Sequence, residues 1–258
     1  MAAALPAGAS GPLPVVVVPG MLCDHDLWTD VAFPAHHEVH HVALTAPDIG
    51  GQADEVLSAV PGPFVLVGLS LGAIVGFEVL RRAPERVAGF CAMSTNAGAP
   101  RPEQYAAWRA MDGLIAEGRF AEVIEQTLPG MFDVTEPPGD LAGRYRSMAH
   151  RVGPDSARAQ LAAQATRSDA HDTLRTVRCP TTVLYGTRDA LCPPDFHRSI
   201  AQAVPGARLT PVPGAGHLLP MQHPRPVSAA VRDLLAEAER THRIPPSHSE
   251  ESPPCPVI

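Results

Sequence analysis

Residues 64–83, Phe-Val-Leu-Val-Gly-Leu-Ser-Leu-Gly-Ala-Ile-Val-Gly-Phe-Glu-Val-Leu-Arg-Arg-Ala, constrain the chain more than any other stretch. Phe64 to Val67 form a short apolar run between Pro63 and Gly68, the pattern of a strand buried on both faces. From Leu71 the period changes. Leu71, Ile74, Val75, Val79 and Leu80 recur at helical spacing, and Pro84 ends the run. Between the two lies Gly68-Leu69-Ser70-Leu71-Gly72, a G-x-S-x-G match. A serine on so sharp a strand-to-helix turn takes a strained backbone, and the residues two positions away must be small for the chain to cross itself. The turn lifts the Ser70 hydroxyl above the sheet edge and aims the helix N-terminus, with the Leu71 N–H, at whatever the serine attacks. An ordinary Gly/Ser turn is the competing reading, and the flanking strand and helix weigh against it.

The elements around this unit alternate. Pro14 to Val18 read as a buried strand ending at Pro19-Gly20-Met21-Leu22. Asp26 to Val31 suggest a short helix with Leu27 and Trp28 turned inward, Glu38 to Leu44 a second strand, Gln52 to Val60 a helix, and Val87 to Ser94 the strand after the serine helix. Strands resume at Thr181 to Tyr185 and Ala207 to Val212, with helices at Asp195 to Val204 and Pro226 to Glu239. Strands alternating with helices predict an α/β fold with a doubly wound, mostly parallel sheet. Between Ala97 and Thr176 the alternation stops, and segments 103–117, 120–128, 141–152 and 156–168 are helical, separated by Pro/Gly breaks. The expected organisation is a flexible N-terminus over 1–12, a core of 13–96 and 177–240, a helical cap inserted over 97–176, and a disordered tail over 241–258.

In an open parallel sheet the loops at the carboxyl ends of the strands meet at one crevice. Four such loops carry Gly20-Met21, Ser70, Asp189 and His217. A serine hydroxyl needs a base to become a nucleophile, and a carboxylate must hold that imidazole in one tautomer. Ser70, His217 and Asp189 fill those roles. Rivals are poorer: His223 looks like a helix-start residue, Asp195 reads as a helix N-cap, and Ser94-Thr95-Asn96 offers no carboxylate after the preceding strand. The oxyanion would be held by the Leu71 N–H and a second donor after Gly20, from Met21 or, as the weaker candidate, Leu22. Gly20, Leu22 and Leu218 flank the expected pocket. Trp108, Met111, Met131 and Phe132 from the insertion are its expected apolar wall.

Composition removes other classes. A net charge of −7 argues against nucleic acid or an anionic membrane surface as the main partner. No apolar stretch reaches membrane-spanning length, and the N-terminus lacks the features of a signal peptide. Five scattered cysteines without a C-x-x-C imply no disulfide framework, so a cytoplasmic location is expected. Cys23 and Cys192 read as packing residues at the pocket rim. His36, His37, His40 and His41 invite a metal reading, but adjacent strand side chains point to opposite faces, and surface histidines are the better expectation. No metal or organic cofactor is required, and the expected partner is a small molecule.

Val-Pro-Gly-Met-Leu-Cys-Asp (18–24), Gly-Leu-Ser-Leu-Gly (68–72), Cys-Pro-Thr-Thr-Val-Leu-Tyr-Gly-Thr-Arg-Asp (179–189) and Pro-Gly-Ala-Gly-His (213–217) together resemble the α/β-hydrolase superfamily. They are most similar to its small-cap group of pimeloyl-carrier-protein methyl ester carboxylesterases and 3-oxoadipate enol-lactonases. Residues 164–174 and the order Ser, Asp, His fit the same group. The resemblance covers residues 14–236 and implies a serine esterase or lactonase working through an acyl-enzyme. The chain departs from it in having Pro19-Gly20 in place of His-Gly before the oxyanion loop. It also lacks room for an N-terminal antiparallel hairpin, implying about six strands, and is compact between the second strand and the serine strand. Other chemistry on the same three residues stays open: C–C cleavage, thioester release, or cofactor-free lyase or cyclase steps. So does a receptor-like protein that binds a ligand with little turnover.

Overall fold

The computed structural model describes residues 11–132, 137 and 140–242. Its frame is a six-stranded sheet built from β1 (Val15–Val18), β2 (Val39–His41), β3 (Phe64–Leu69), β4 (Val87–Met93), β5 (Thr181–Gly186) and β6 (Arg208–Val212). The spatial order is β2-β1-β3-β4-β5-β6, and every pair is parallel. After β1 the chain steps to one side for β2, then returns to β1's other side for β3. The strand order therefore reverses at β1, and the turns leaving β1 and β3 lie side by side at that switch point.

Strand period decides the layers. Val15, Val17, Val65 and Val67 point into one core, while Val16, Val18, Phe64 and Leu66 point into the other. Helices α1 (Ile49–Ser58), α2 (Leu71–Arg82) and α7 (Pro194–Ala203) cover the second face through Val56, Ile74 and Ile200. Helix α9 (Pro224–His242) covers the first through Val227, Leu234 and Ala238. With both faces covered, the strands need no polar alternation, which is why they are runs of valine and leucine.

Between β4 and β5 come α3 (Pro102–Ala116), α4 (Phe120–Phe132), α5 (Leu141–Thr166) and α6 (His171–Thr176). Their apolar residues, among them Ile124, Phe132, Tyr145 and Met148, are continuous with the core on the α9 face. As expected over 141–152 and 156–168, α5 is two helices, parted at Gly153, whose φ of 77° and ψ of 167° are non-helical and which precedes Pro154. The glycine takes the positive φ that lets the chain turn before proline, and the second helix starts directly after it.

Several expectations change. The second strand is shorter than 38–44: it pairs only with β1, from Val15↔Val39 to Val17↔His41, and the ladder runs out where β1 turns at Pro19. Asp195 is not an N-cap; Pro193 holds that position, and Asp195 pairs with Arg198 in the first turn. His37 is buried, not at the surface, with Nδ1 2.7 Å from the Leu13 carbonyl oxygen. Helix α9 continues through residues 241 and 242, and the rest of the 241–258 tail lies outside the described residues, as do residues 1–10. Among the described residues no helix is long and apolar enough to cross a membrane.

Candidate active site

Ser70 sits between β3 and α2 at φ 54° and ψ −113°, a conformation L-residues rarely adopt. Its neighbours explain how it is held. A Cβ on Gly72 would lie 2.2 Å from the Val18 carbonyl oxygen, and one on Gly68 2.6 Å from the Ala73 nitrogen, so neither position admits a side chain. The Ser70 N–H donates to the Met93 carbonyl at 2.9 Å, while the Ser70 carbonyl accepts from Ala73, Ile74 and the Thr95 hydroxyl at 3.0–3.1 Å. Backbone strain at this residue is overdetermined by the β1, β3 and β4 ends around it.

Asp189 and His217 leave the ends of β5 and β6. They are 3% and 4% exposed, and His217 Nδ1 lies 2.9 Å from Asp189 Oδ2. The other Asp189 oxygen accepts from the Leu191 and Cys192 N–H groups at 3.0 and 2.8 Å. Burial pushes the Asp189 pKa up, but the facing His217 and these hydrogen bonds outweigh it and hold the carboxyl below its ordinary value. An ionised Asp189 keeps the proton of neutral His217 on Nδ1 and leaves Nε2 free as a base. The His217 and Leu218 N–H groups both donate to the Met131 carbonyl, at 3.2 and 3.1 Å. Thus the end of α4 supports the histidine loop. Ser70 makes no side-chain hydrogen bond to His217 among the described residues; such contacts tighten when a substrate arrives.

Ser70 and His217 face one cavity of about 260 Å³. Gly20, Met21, Trp108, Met111, Met131 and Leu218 line it as expected, and so do Cys23 and Cys192. Burial raises both cysteine thiols well above their ordinary pKa, which keeps them protonated. Leu22 and Phe132 do not line it. Leu22 is buried in the core with its N–H given to Gln160, so that N–H is engaged and Met21 is the better donor after Gly20. Phe132 packs against Tyr145, ring centroids 6.3 Å apart. Leu71 is buried, but its N–H opens the helix, and among the described residues neither it nor the Met21 N–H donates to a protein group. A larger cavity of about 480 Å³, beside Asp48, Glu78 and Asp169, touches none of Ser70, Asp189 and His217.

Two groups of potential metal donors occur among the described residues, Asp189–Cys192–His217 and His36–His37–Glu239. In the first, aspartate and histidine already bond each other and the cysteine is protonated, a poor donor set for a metal. In the second, the Leu13 carbonyl already occupies His37 Nδ1.

Of three buried polar residues, His197 and Gln160 have no counterpart in the sequence reading, and Arg167 enters it only within the 164–174 stretch of the family resemblance. His197, on α7, accepts the Thr95 N–H at Nε2 (2.9 Å) and stacks on Tyr185 at 4.9 Å. Burial, only partly offset by Asp189, drives its pKa down to about 4, so the ring is neutral and can accept. Since the Thr95 hydroxyl bonds the Ser70 carbonyl, His197 supports the serine turn at one remove. Gln160, 2% exposed, accepts the Leu22 N–H at 3.0 Å and donates to the Leu44 carbonyl at 3.1 Å, fixing the loop after β1, where Leu22 has φ 61°. Arg167 lines the cavity from the end of α5. The spacings 197–200–204 and 160–164–167 each mark one helical face, and that is the signal by which these residues could be found.

Known proteins share this architecture. Over 193 residues the chain is 27% identical to the pimeloyl-[acyl-carrier protein] methyl ester esterase of Neisseria meningitidis serogroup A, covering 73% of this chain; the match spans 62% of that relative's length. A thermophilic esterase from Thermogutta terrifontis superposes with a TM-score of 0.77 at 26% identity, covering 88% of this chain and 91% of that one. The enol-lactonase from Burkholderia xenovorans LB400 superposes with a TM-score of 0.74 at 22% identity, covering 89% and 94%, and shows the fold. The model of the alpha/beta hydrolase family matches residues 15–230, and the chain belongs to that family.

Proposed function

We propose that this chain is a serine hydrolase cleaving a carboxylic ester or lactone of a small to medium, partly apolar substrate. The observation that carries the reading is the buried 2.9 Å His217–Asp189 contact on the wall of the cavity that receives the strained Ser70. The similarity to an esterase and, in fold, to an enol-lactonase supports it.

In this mechanism His217 Nε2 takes the proton of Ser70 as the hydroxyl oxygen attacks the carbonyl carbon. The tetrahedral oxyanion is held by the N–H groups of Leu71 and Met21, the first strengthened by the α2 dipole. His217 then gives its proton to the departing alkoxide, leaving an acyl-enzyme on Ser70. Water, deprotonated by the same histidine, attacks the acyl carbon, and Ser70 recovers its proton as the acid leaves. Asp189 stays ionised throughout and stabilises the imidazolium. The helices of residues 97–176 serve as the cap and supply the substrate-facing wall.

Labelling with a fluorophosphonate, read by intact mass, tests this directly. The native protein takes up one phosphonyl group and Ser70→Ala takes up none, and the native protein turns over members of an ester and lactone panel. A folded native protein that neither labels nor turns over any panel member overturns the reading.

A further inference from the structure

Arg86 and Arg167 are withdrawn from solvent in different ways. Arg86, partly buried over the Phe64 ring, gives its Nε and Nη2 to the carbonyl oxygens of Gly62, Leu57 and Val60. Its charge is met by the chain itself. Arg167 is 6% exposed and lies over an aromatic ring too, its guanidinium carbon 5.4 Å from the Trp108 centroid. There the likeness ends. Its Nη2 reaches only two neutral amide oxygens at the long limit of hydrogen bonding, Asn96 Oδ1 at 3.4 Å and Gln104 Oε1 at 3.3 Å. The second is already shared with the Arg101 N–H. Its Nε is buried with no partner, and it forms no ion pair among the described residues. By contrast Arg81, Arg82, Arg144, Arg146, Arg151 and Arg158 each pair with a carboxylate at the surface.

A guanidinium stays charged in a protein, and a buried charge without a counter-charge is among the costliest arrangements a fold can hold. Burial acts against it here, pulling its pKa below the ordinary arginine value. Arg167 lines the cavity that Ser70 and His217 face, together with Asn96, Gln104 and Gln164, and also borders the larger cavity beside Asp48 and Asp169. Gln164 has only the Met21 sulfur, a weak acceptor, at 3.3 Å from its Nε2. A planar five-donor fork, short of acceptors and ringed by neutral amides, matches a carboxylate. The small volume of about 260 Å³ matches a compact molecule.

We propose that Arg167 anchors a carboxylate carried by the substrate, so that the ester or lactone cleaved at Ser70 belongs to a small acid whose free carboxylate points away from the scissile bond. This rests on the hydrolase reading of Ser70 above. Trp108 stacks the guanidinium and sets the plane of its fork, and Gln104 and Asn96 hold Nη2 only at long range, leaving the outer edge of the fork for the incoming oxygens.

The experiment compares mono-4-nitrophenyl glutarate with the same ester carrying a carboxamide in place of its free carboxylate. The native protein favours the carboxylate in kcat/KM by about 10²-fold, the size expected when a site built for a charged group meets an analogue lacking it. In Arg167→Gln the ratio falls to near one. In Arg167→Lys, which keeps the charge without the fork, it falls in between. A native ratio of one or below, or a ratio unchanged in Arg167→Gln, overturns the proposal; if Arg167→Gln does not fold, the native ratio and Arg167→Lys decide. A second measurement needs no turnover. Glutarate raises the Tm of the native protein, glutaramide does not, and Arg167→Lys weakens the effect. If neither ester is cleaved but glutarate acts in this way, the anchor stands and the hydrolase reading falls. If both esters are cleaved equally and glutarate is silent, the anchor falls and the hydrolase reading stands. Stronger stabilisation by inorganic phosphate than by glutarate overturns the carboxylate assignment in favour of a phosphoryl ligand.

Discussion

The strand-end turns and the inserted helices α3–α6 are held together by different means. At the sheet edge the turns are laced together by backbone bonds: Ser70 N–H to the Met93 carbonyl, Ser94 to Leu184, Thr187 to Val212 and Arg188 to Ala215, all at 2.9–3.1 Å. Ion pairs within the insertion lie on its exposed faces, Arg119 with Glu122, Arg146 with Glu125 and Arg158 with Asp112, where they contribute little. Its polar contacts to the site are Met131 to His217 and Leu218, Gln160 to Leu22 and Leu44, and Gln164 to Met21, with Arg144 and Arg151 pairing with Asp24, Asp26 and Asp30 after β1. In the proposed mechanism the chemistry falls to the part held by sheet backbone and the recognition to the part held by side-chain packing. Changes at the sheet edge should therefore alter how fast any substrate reacts, and changes on the insertion which substrate reacts.

The largest effect expected of that contrast is at Asp189. Asp189→Asn leaves the shape intact but removes the charge that selects the His217 tautomer, and kcat should fall about 10⁴-fold for every ester with KM little changed. Steady-state kinetics on two unrelated esters checks it; a loss confined to one of them would break the division.

His197 gives the next effect, on stability. The unfolded chain protonates it near the ordinary histidine value of 6.5, whereas in the fold burial brings the pKa to about 4. Between those values the unfolded state binds more protons, so the contribution is complete above about pH 6.5 and is lost as pH falls toward 4, a span of about 3 kcal/mol. Urea unfolding of the native protein and His197→Gln at pH 7 and pH 4.5 measures it. The variant should show the shallower pH dependence, and parallel curves would remove His197 from the account.

Gln160→Leu follows. It strands the Leu22 N–H and the Leu44 carbonyl, a loss of about 2 kcal/mol. Since the loop after β1 carries the Met21 N–H, kcat should drop about tenfold, the lower part of the range for a displaced oxyanion donor. Equal stability loss with unchanged kcat would mean that the insertion merely rests on that loop. The smallest effect belongs to Arg158→Ala on the exposed face: Tm should move by less than about one degree and kcat/KM not at all. A measurable change in either would show that the surface pairs matter to the site.

Much of this was legible in residue order, because local rules suffice for it. The valine run of β1, the change of period at Ser70 and the Gly68 and Gly72 positions are properties of adjacent residues, and the parallel sheet and the meeting of Ser70, Asp189 and His217 at its carboxyl edge follow from strand–helix alternation. Boundaries were less legible. The Gly153-Pro154 break was legible, but how far β2 runs depends on the length of β1, its partner among the described residues.

What only the tertiary structure decided is the partner of each isolated polar residue. Gln160, Arg167 and His197 look like ordinary helix residues in the chain. They become unusual through burial against Leu22, Trp108 and Thr95, which are 138, 59 and 102 positions away. Leu22 and Phe132 moved the other way, from expected pocket wall to core, because a one-residue rotation of loop or helix exchanges the inward face for the cavity face. By itself the sequence determined the scaffold and its strained serine turn, since steric and periodic constraints act between near neighbours. Which polar groups go unpaired, and so what charge the cavity presents to a ligand, is set by long-range packing that no local pattern encodes.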